Sequence, residues 1–323
     1  MIPPKQTHLV ERVAERLLRA GALEGSAAQL LEPDDRPAPA RPRPIAPATA
    51  GHFAAPAAAA EALVAEPPPA PVDQTNDTGL ISARPMIEMA ALERAGVFDW
   101  THGRSRISEE FRLAQRQVMR NAFADSAEAG ISNLLMVTSA RPGEGKSFTA
   151  LNLAASIALQ GDHRVLLIDS DSKRDSICQA FGLADAPGVL DLANNPATDP
   201  SEVILKTQID GLTFLPVGQD RNRSSELFAS KDMTQLIQSL GRRYADQLII
   251  LDAPPCLSTS DPAALAPVVG QVVFVIEAER TQRDEIEASL DLVQACPTIM
   301  LLLNKVQMST RYTFGAYSAY YSS

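Results

Sequence analysis

The chain is short of most residues that staple a fold, ligate a metal or span a bilayer. Of 323 residues only three are cysteine (Cys178, Cys256, Cys296) and four are histidine. The cysteines are far apart and odd in number, with no CxxC pair or Cys/His cluster, which argues against a disulfide framework or a zinc site. No apolar run reaches the ~18–20 residues that a bilayer-spanning helix needs. The first residues, MIPPKQTHLVERVAERLL, contain no apolar core of signal-peptide type, so a cytoplasmic location is expected. Positive charge is also in deficit, with 29 Lys and Arg against 39 Asp and Glu and a net charge of −10. A bulk hold on nucleic acid needs a basic face, so no nucleic-acid partner is expected. Neither an HRD nor a DFG segment occurs, which excludes a eukaryotic-type kinase fold. No GxGxxG follows a strand pattern, which argues against dinucleotide binding. There are no internal repeats.

What is present is unevenly placed. Between Pro37 and Pro71, 24 of 35 residues are Pro or Ala, and four of the five tyrosines lie in the last twelve residues. The first 30 residues hold one amphipathic helix, over about 7–20. There Leu9, Val10, Val13, Ala14, Leu17 and Leu18 share a face, Thr7 caps the start and Gly21 stops the end. Such a helix is marginal alone in water, so its apolar stripe needs a partner. Residues 31–84 are poor in large apolar side chains and rich in proline. They cannot build a core and read as a disordered linker.

From residue 85 to 308 the chain reads as one folded domain. A helix is expected over Met86–Ala95, stopped by Gly96. Another is expected over about 109–122, capped by Ser108, with Phe111, Val118 and Met119 inward. Short apolar runs then recur at Leu134–Val137, Val165–Ile168, Leu212–Leu215, Leu248–Leu251, Val272–Ile276 and Ile299–Leu303, with helical stretches at 147–159, 233–243 and 283–295. Strands that are apolar throughout are buried on both faces. Alternation with helices makes this an α/β fold, a parallel sheet flanked by helices.

The first strand runs into Ser139-Ala140-Arg141-Pro142-Gly143-Glu144-Gly145-Lys146-Ser147, and a helix follows. This is a phosphate loop. Gly143 and Gly145 let backbone amides turn toward phosphate oxygens, and the helix N-terminus adds partial positive charge. Lys146 is expected to reach the β- and γ-phosphates of ATP and Ser147 to ligate Mg²⁺, with Pro142, Glu144 and Phe148 also beside the nucleotide. The usual pattern has Gly at position 140, where this chain has Ala. Two more strands end in acid, at Asp169-Ser170-Asp171 and at Asp252. Ligands bind at the carboxyl ends of strands in open α/β sheets, so Asp169 and Asp252 are candidate Mg²⁺ ligands beside Ser147. Asn304-Lys305, after the last strand, is a candidate contact to the base. The chain ends in a tail over 309–323 bearing Tyr312, Tyr317, Tyr320 and Tyr321. A tyrosine-rich end behind an ATP site has the composition of a phosphoryl acceptor, and each phosphate would add about −1.5 to −2 charges.

These residues resemble the bacterial protein-tyrosine kinases of polysaccharide export over about 105–323. The resemblance is carried by Pro142–Ser147, by Leu167-Ile168-Asp169-Ser170-Asp171-Ser172-Lys173-Arg174, by Leu251-Asp252-Ala253-Pro254-Pro255 and by the terminal tyrosines. The N-terminal Leu9–Leu17 segment looks like the soluble subgroup associated with exosortase-type exopolysaccharide loci. The resemblance implies a P-loop NTPase fold of the partition and cell-division ATPase type. It implies an autokinase that phosphorylates its own tail in trans and regulates exopolysaccharide chain length and export. Lys146, Asp169, Asp171 and Arg174 would be catalytic, with either Asp169 or Asp171 as the base. It also implies a membrane chain-length-determinant protein (a polysaccharide co-polymerase) as activator, a cognate tyrosine phosphatase, and placement at the inner face of the plasma membrane through the partner. A ring-forming homo-oligomer is implied as well, through a Glu-x-x-Arg-x-x-Arg helix that Glu109 to Arg112 match in part. Two alternatives stay open: a partition-type ATPase acting as a positioning switch, and a non-catalytic nucleotide-binding scaffold.

Overall fold

The computed structural model describes residues 86–100, 105–124, 128, 130–173 and 176–306. All of them fall in the compact unit Asn76–Ser323. The expected N-terminal helix, the Pro/Ala linker, Arg174 and the tail with Tyr312, Tyr317, Tyr320 and Tyr321 lie outside the described residues.

Seven strands form one sheet: β1 (Leu134–Ser139), β2 (Arg164–Asp169), β3 (Leu205–Lys206), β4 (Leu212–Leu215), β5 (Gln247–Asp252), β6 (Gln271–Glu277) and β7 (Thr298–Asn304). Their order is β3-β4-β2-β5-β1-β6-β7. All pairings are parallel except β3 with β4. The apolar runs became strands because helices cover both faces. Every residue of β1, β5 and β6 is buried.

Nine α-helices complete the described residues: α1 (Met89–Arg94), α2 (Arg106–Ala122), α3 (Lys146–Gln160), α4 (Ile177–Phe181), α5 (Val189–Asn194), α6 (Ser224–Phe228), α7 (Lys231–Arg243), α8 (Asp261–Leu265) and α9 (Arg283–Val293). The most enclosed is α3, which buries Ala150, Ala154, Ala155 and Ala158 along with Leu151, Leu153 and Ile157. Small side chains let its axis lie close to the sheet, so the phosphate loop at its head is anchored on both sides. No helix among the described residues is long and apolar enough to cross a membrane.

Two expected boundaries move. The helix expected from 109 starts at Arg106, and its cap is Ser105, whose side chain accepts from Ser108 N at 3.1 Å. Ser108 is the return half of the same box, its hydroxyl accepting from Ser105 N at 3.0 Å. Val118 is buried as expected, while Phe111 and Met119 are partly buried. The first helix spans only Met89–Arg94, because Ile87 is drawn into a parallel bridge with Thr207. Ser105→Ala removes the cap acceptor and is expected to cost about 1 kcal/mol. Urea unfolding of the variant checks this; an unchanged midpoint would show that the box does not hold the helix start.

Candidate functional site

The sheet order places the chemistry. β5 lies between β1 and β2, with Val137 opposite Asp252 and Asp252 opposite Asp169 in register. The phosphate loop, Asp252 and Asp169 therefore emerge side by side at the carboxyl ends of three adjacent strands. This is where an open α/β sheet receives ligands.

The loop itself is tightly specified. Gly143 and Gly145 have φ of 85° and 97°, values that L side chains rarely adopt. A Cβ at Gly145 would also lie 2.1 Å from Asn304 Nδ2. Ser139 Oγ donates to Arg141 O at 2.9 Å, and Arg141 N donates to Glu144 Oε2 at 2.8 Å. The other Glu144 oxygen accepts from the Thr281 hydroxyl. Asn304 Nδ2 donates to Glu144 O at 2.9 Å, and Lys305 Nζ donates to Gly143 O at 2.6 Å. Asn304, expected at the base, thus has its amide on the loop backbone. Phe148 follows Ser147 on the first turn of α3. Its half-exposed ring meets Phe111 at 6.1 Å, the end of a ladder through Trp100 to Phe98.

Lys146 is the site's buried cation. Its Nζ sits 2.8 Å from Asp171 Oδ2 and 3.7 Å from Asp252 Oδ1, and donates to Ser147 Oγ at 3.0 Å. Burial alone would lower its pKa. Asp252, Asp171 and Asp169 outweigh that and hold it above the ordinary lysine value.

The three aspartates differ in what they have left to offer. Asp169 is fully buried, and its oxygens accept from Asp171 N at 3.0 Å and Cys178 N at 2.8 Å. Burial nevertheless raises its pKa. Asp171 bridges Lys146 and Lys173 N. Asp252 is also fully buried, yet neither of its oxygens has a hydrogen-bond partner. Desolvation pushes its carboxyl up to about 7, opposed by Lys146 and the nearby Ser147 hydroxyl and assisted by Asp169 and Asp171. A buried carboxylate without a donor is a costly arrangement that a cation would relieve.

The residues present fit a phosphate-bound divalent ion. Ser147 Oγ and the open oxygens of Asp252 supply hard oxygen donors of the kind Mg²⁺ takes. No cluster of three or more His, Cys, Asp or Glu among the described residues is placed to hold a metal alone. The remaining ligands would therefore come from phosphate and water. Asp169, also expected as a ligand, has each oxygen on one main-chain N–H group, whereas Asp252 has no such donor.

Thr281 was not singled out in sequence. It carries no motif, and its contact with Glu144 spans 137 residues. Lys305, read together with Asn304 as a candidate contact to the base, has its ammonium on the loop backbone. On α2, Arg112 pairs with Glu109 at 2.5 Å, and Gln115 turns inward to accept from Ser156 Oγ at 2.9 Å. Gln115 therefore ties α2 to α3 and is not on the exposed face.

The family described as "AAA domain" matches residues 132–300. EpsB of Ralstonia solanacearum, provisionally named a tyrosine-protein kinase, is 34% identical over 190 residues, covering 58% of this chain and 25% of that protein. This chain thus spans about a quarter of that relative's length. The tyrosine-protein kinase YwqD of Bacillus subtilis is 30% identical over 225 residues, covering 68% of this chain and 90% of YwqD. The succinoglycan biosynthesis transport protein ExoP of Rhizobium meliloti is 32% identical over 215 residues, 64% of this chain and 26% of ExoP. Among solved structures, the kinase domain of the Escherichia coli tyrosine kinase ETK superposes with a TM-score of 0.55. It is 27% identical and covers 63% of this chain and 77% of that one.

Proposed function

The chain belongs to the bacterial tyrosine-protein kinase family, and we propose that it transfers the γ-phosphoryl group of ATP to tyrosines of its own C-terminal tail. The observation that carries this reading is the pairing of a phosphate loop with Asp252, a buried carboxylate that lacks a donor. On this reading the kinase domain is 85–308 and the tail, 309–323, is the acceptor. The N-terminal helix and the linker tether the domain to partners.

Phosphoryl transfer is mostly positioning and charge neutralisation. When bound, Mg²⁺ would supply charge on the β- and γ-oxygens and would be held by Ser147 and Asp252. Lys146 exchanges Asp171 for the phosphate oxygens, which its position at the loop's helix junction allows. Tyrosine has an unperturbed pKa of about 10 and gains from a nearby base. Asp171 suits that role better than Asp169. Release of Lys146 frees one of its oxygens, whereas both Asp169 oxygens stay on main-chain donors. Arg174 would counter the developing charge.

Transfer in trans calls for neighbouring copies. The exposed stretch of α2 with Glu110, Arg112 and Leu113 is the surface we assign to a ring-forming oligomer. ExoP is named for polysaccharide biosynthesis and transport. That name supports a role in exopolysaccharide chain length and export, with a membrane co-polymerase as activator at the inner face of the membrane and a phosphatase to reset the tail.

Replacing Tyr312, Tyr317, Tyr320 and Tyr321 with Phe is expected to remove most of the label from Mg-ATP, by roughly tenfold or more, while nucleotide affinity is unchanged. Mass spectrometry of the purified, phosphatase-treated chain after incubation with Mg-ATP reads both amount and position. Undiminished labelling of the quadruple variant would place the acceptors elsewhere, and absence of any label on the parent chain would favour the ATPase or scaffold reading.

A further inference from the structure

We propose that Lys305 is a positioning residue for phosphate binding, acting with Asn304 and Thr281 to aim the amides of the phosphate loop at the phosphate chain of a nucleoside triphosphate. The inference deepens the proposed function and rests on it.

A peptide unit is planar and trans, so its C=O and N–H point in opposite directions. Lys305 Nζ holds Gly143 O at 2.6 Å, and the N–H of Glu144 in the same unit is thereby aimed away from Lys305. Asn304 Nδ2 holds Glu144 O at 2.9 Å, which aims the Gly145 N–H in the same manner. Neither N–H meets an acceptor among the described residues. Two adjacent side chains at the end of β7 therefore fix the direction of two successive free donors, in a loop built for anions. The Glu144 side chain closes the arrangement by accepting from Arg141 N and from Thr281 Oγ1. Thr281 is itself set in place by Glu277 N, which donates to its hydroxyl at 3.0 Å.

Lys305 carries a mark of this task. Its φ is 57°, a left-handed backbone that non-glycine residues seldom adopt. Such strain persists where surrounding contacts over-determine it. Here the ammonium is fixed between Gly143 O and Glu277 Oε2, the latter at 3.2 Å. Glu277 also takes Arg280 at 3.1 Å. Burial would push the Glu277 carboxyl up, but the two cations outweigh it and keep it below the ordinary glutamate value. Glu277 thus stays an anion that anchors Lys305.

The test is isothermal titration of the full chain with Mg-ATP and, separately, with sodium tripolyphosphate. Lys305→Gly keeps the left-handed backbone and removes the ammonium. It is expected to weaken both ligands equally, by about tenfold, the scale of one charge-assisted hydrogen bond. Lys305→Arg should recover most of the affinity for both. Thr281→Val should lose several-fold and Thr281→Ser almost nothing. In turnover, Lys305→Gly should raise KM for ATP and leave kcat nearly unchanged. Wild-type affinity of Lys305→Gly for both ligands would overturn the inference alone. So would a loss confined to ATP, because Lys305 would then act on the base. Failure of the parent chain to bind either ligand would overturn the kinase reading and this inference with it.

Discussion

Lys146→Met is expected to abolish tail phosphorylation, lowering the rate by about 10²–10³-fold, the usual effect of removing one preorganised donor from developing charge. Methionine matches the length and apolar stem of lysine, so packing against the loop is retained. What disappears is the ammonium shared by Asp171 and Asp252. Three aspartates would then face one another without a cation, in a site where burial already disfavours ionisation. The nucleotide-free variant should therefore be less stable than the parent at pH 8, by a few kcal/mol, and closer to it at pH 5, where the carboxyls can take up protons. Phosphotyrosine detection on phosphatase-treated protein, with urea unfolding at both pH values, separates the two effects. Persistent phosphotyrosine in a folded Lys146→Met chain would count against the assignment of the loop as the transfer site.

The legible parts of this fold were those specified by local composition. Leu212–Leu215 became β4 at the boundaries its apolar run suggested, and each of the other five runs grew by two residues. Burial on both faces leaves no polar alternation to blur such strands. β3 was not legible, because Leu205–Lys206 is too short to carry a pattern and is held by antiparallel pairing with β4 and by Ile87 N, which donates to Lys206 O at 2.9 Å. The five-residue helices α4, α6 and α8 are shorter than two turns and owe their existence to tertiary packing. The site divides in the same way. The loop, Asp169 and Asp252 could be found because each follows a strand. The unequal commitments of the two aspartates could not, since those depend on Cys178 N and Asp171 N closing over Asp169 alone. Glu144 was legible as a loop residue, but its partner Thr281 is brought to it by the end of β6.

Asp252 is expected to make the nucleotide-free protein less stable as the solution becomes less acidic. Its carboxyl is raised from 3.8 to about 7 in the folded chain. Between those values the folded state holds a proton that the unfolded state has released, so stability falls as pH rises from about 4 to about 7 and stays low above. The full loss is on the order of 4 kcal/mol at one pKa unit per ~1.4 kcal/mol. Asp252→Asn cannot titrate and should show no such decline from this position. Lys146 would keep Asp171 at 2.8 Å, so the substitution does not strand the ammonium. The variant should be the more stable protein at pH 8 and the poorer enzyme, losing at least about a hundredfold in phosphoryl transfer. Urea unfolding of both chains at pH 5, 6, 7 and 8, without nucleotide or divalent ion, reads the stability difference directly. Parallel pH slopes for the two proteins would mean that Asp252 is ionised at no cost in the folded state. In that case a bound cation is not needed to relieve it, and the observation on which the proposed function rests loses its force.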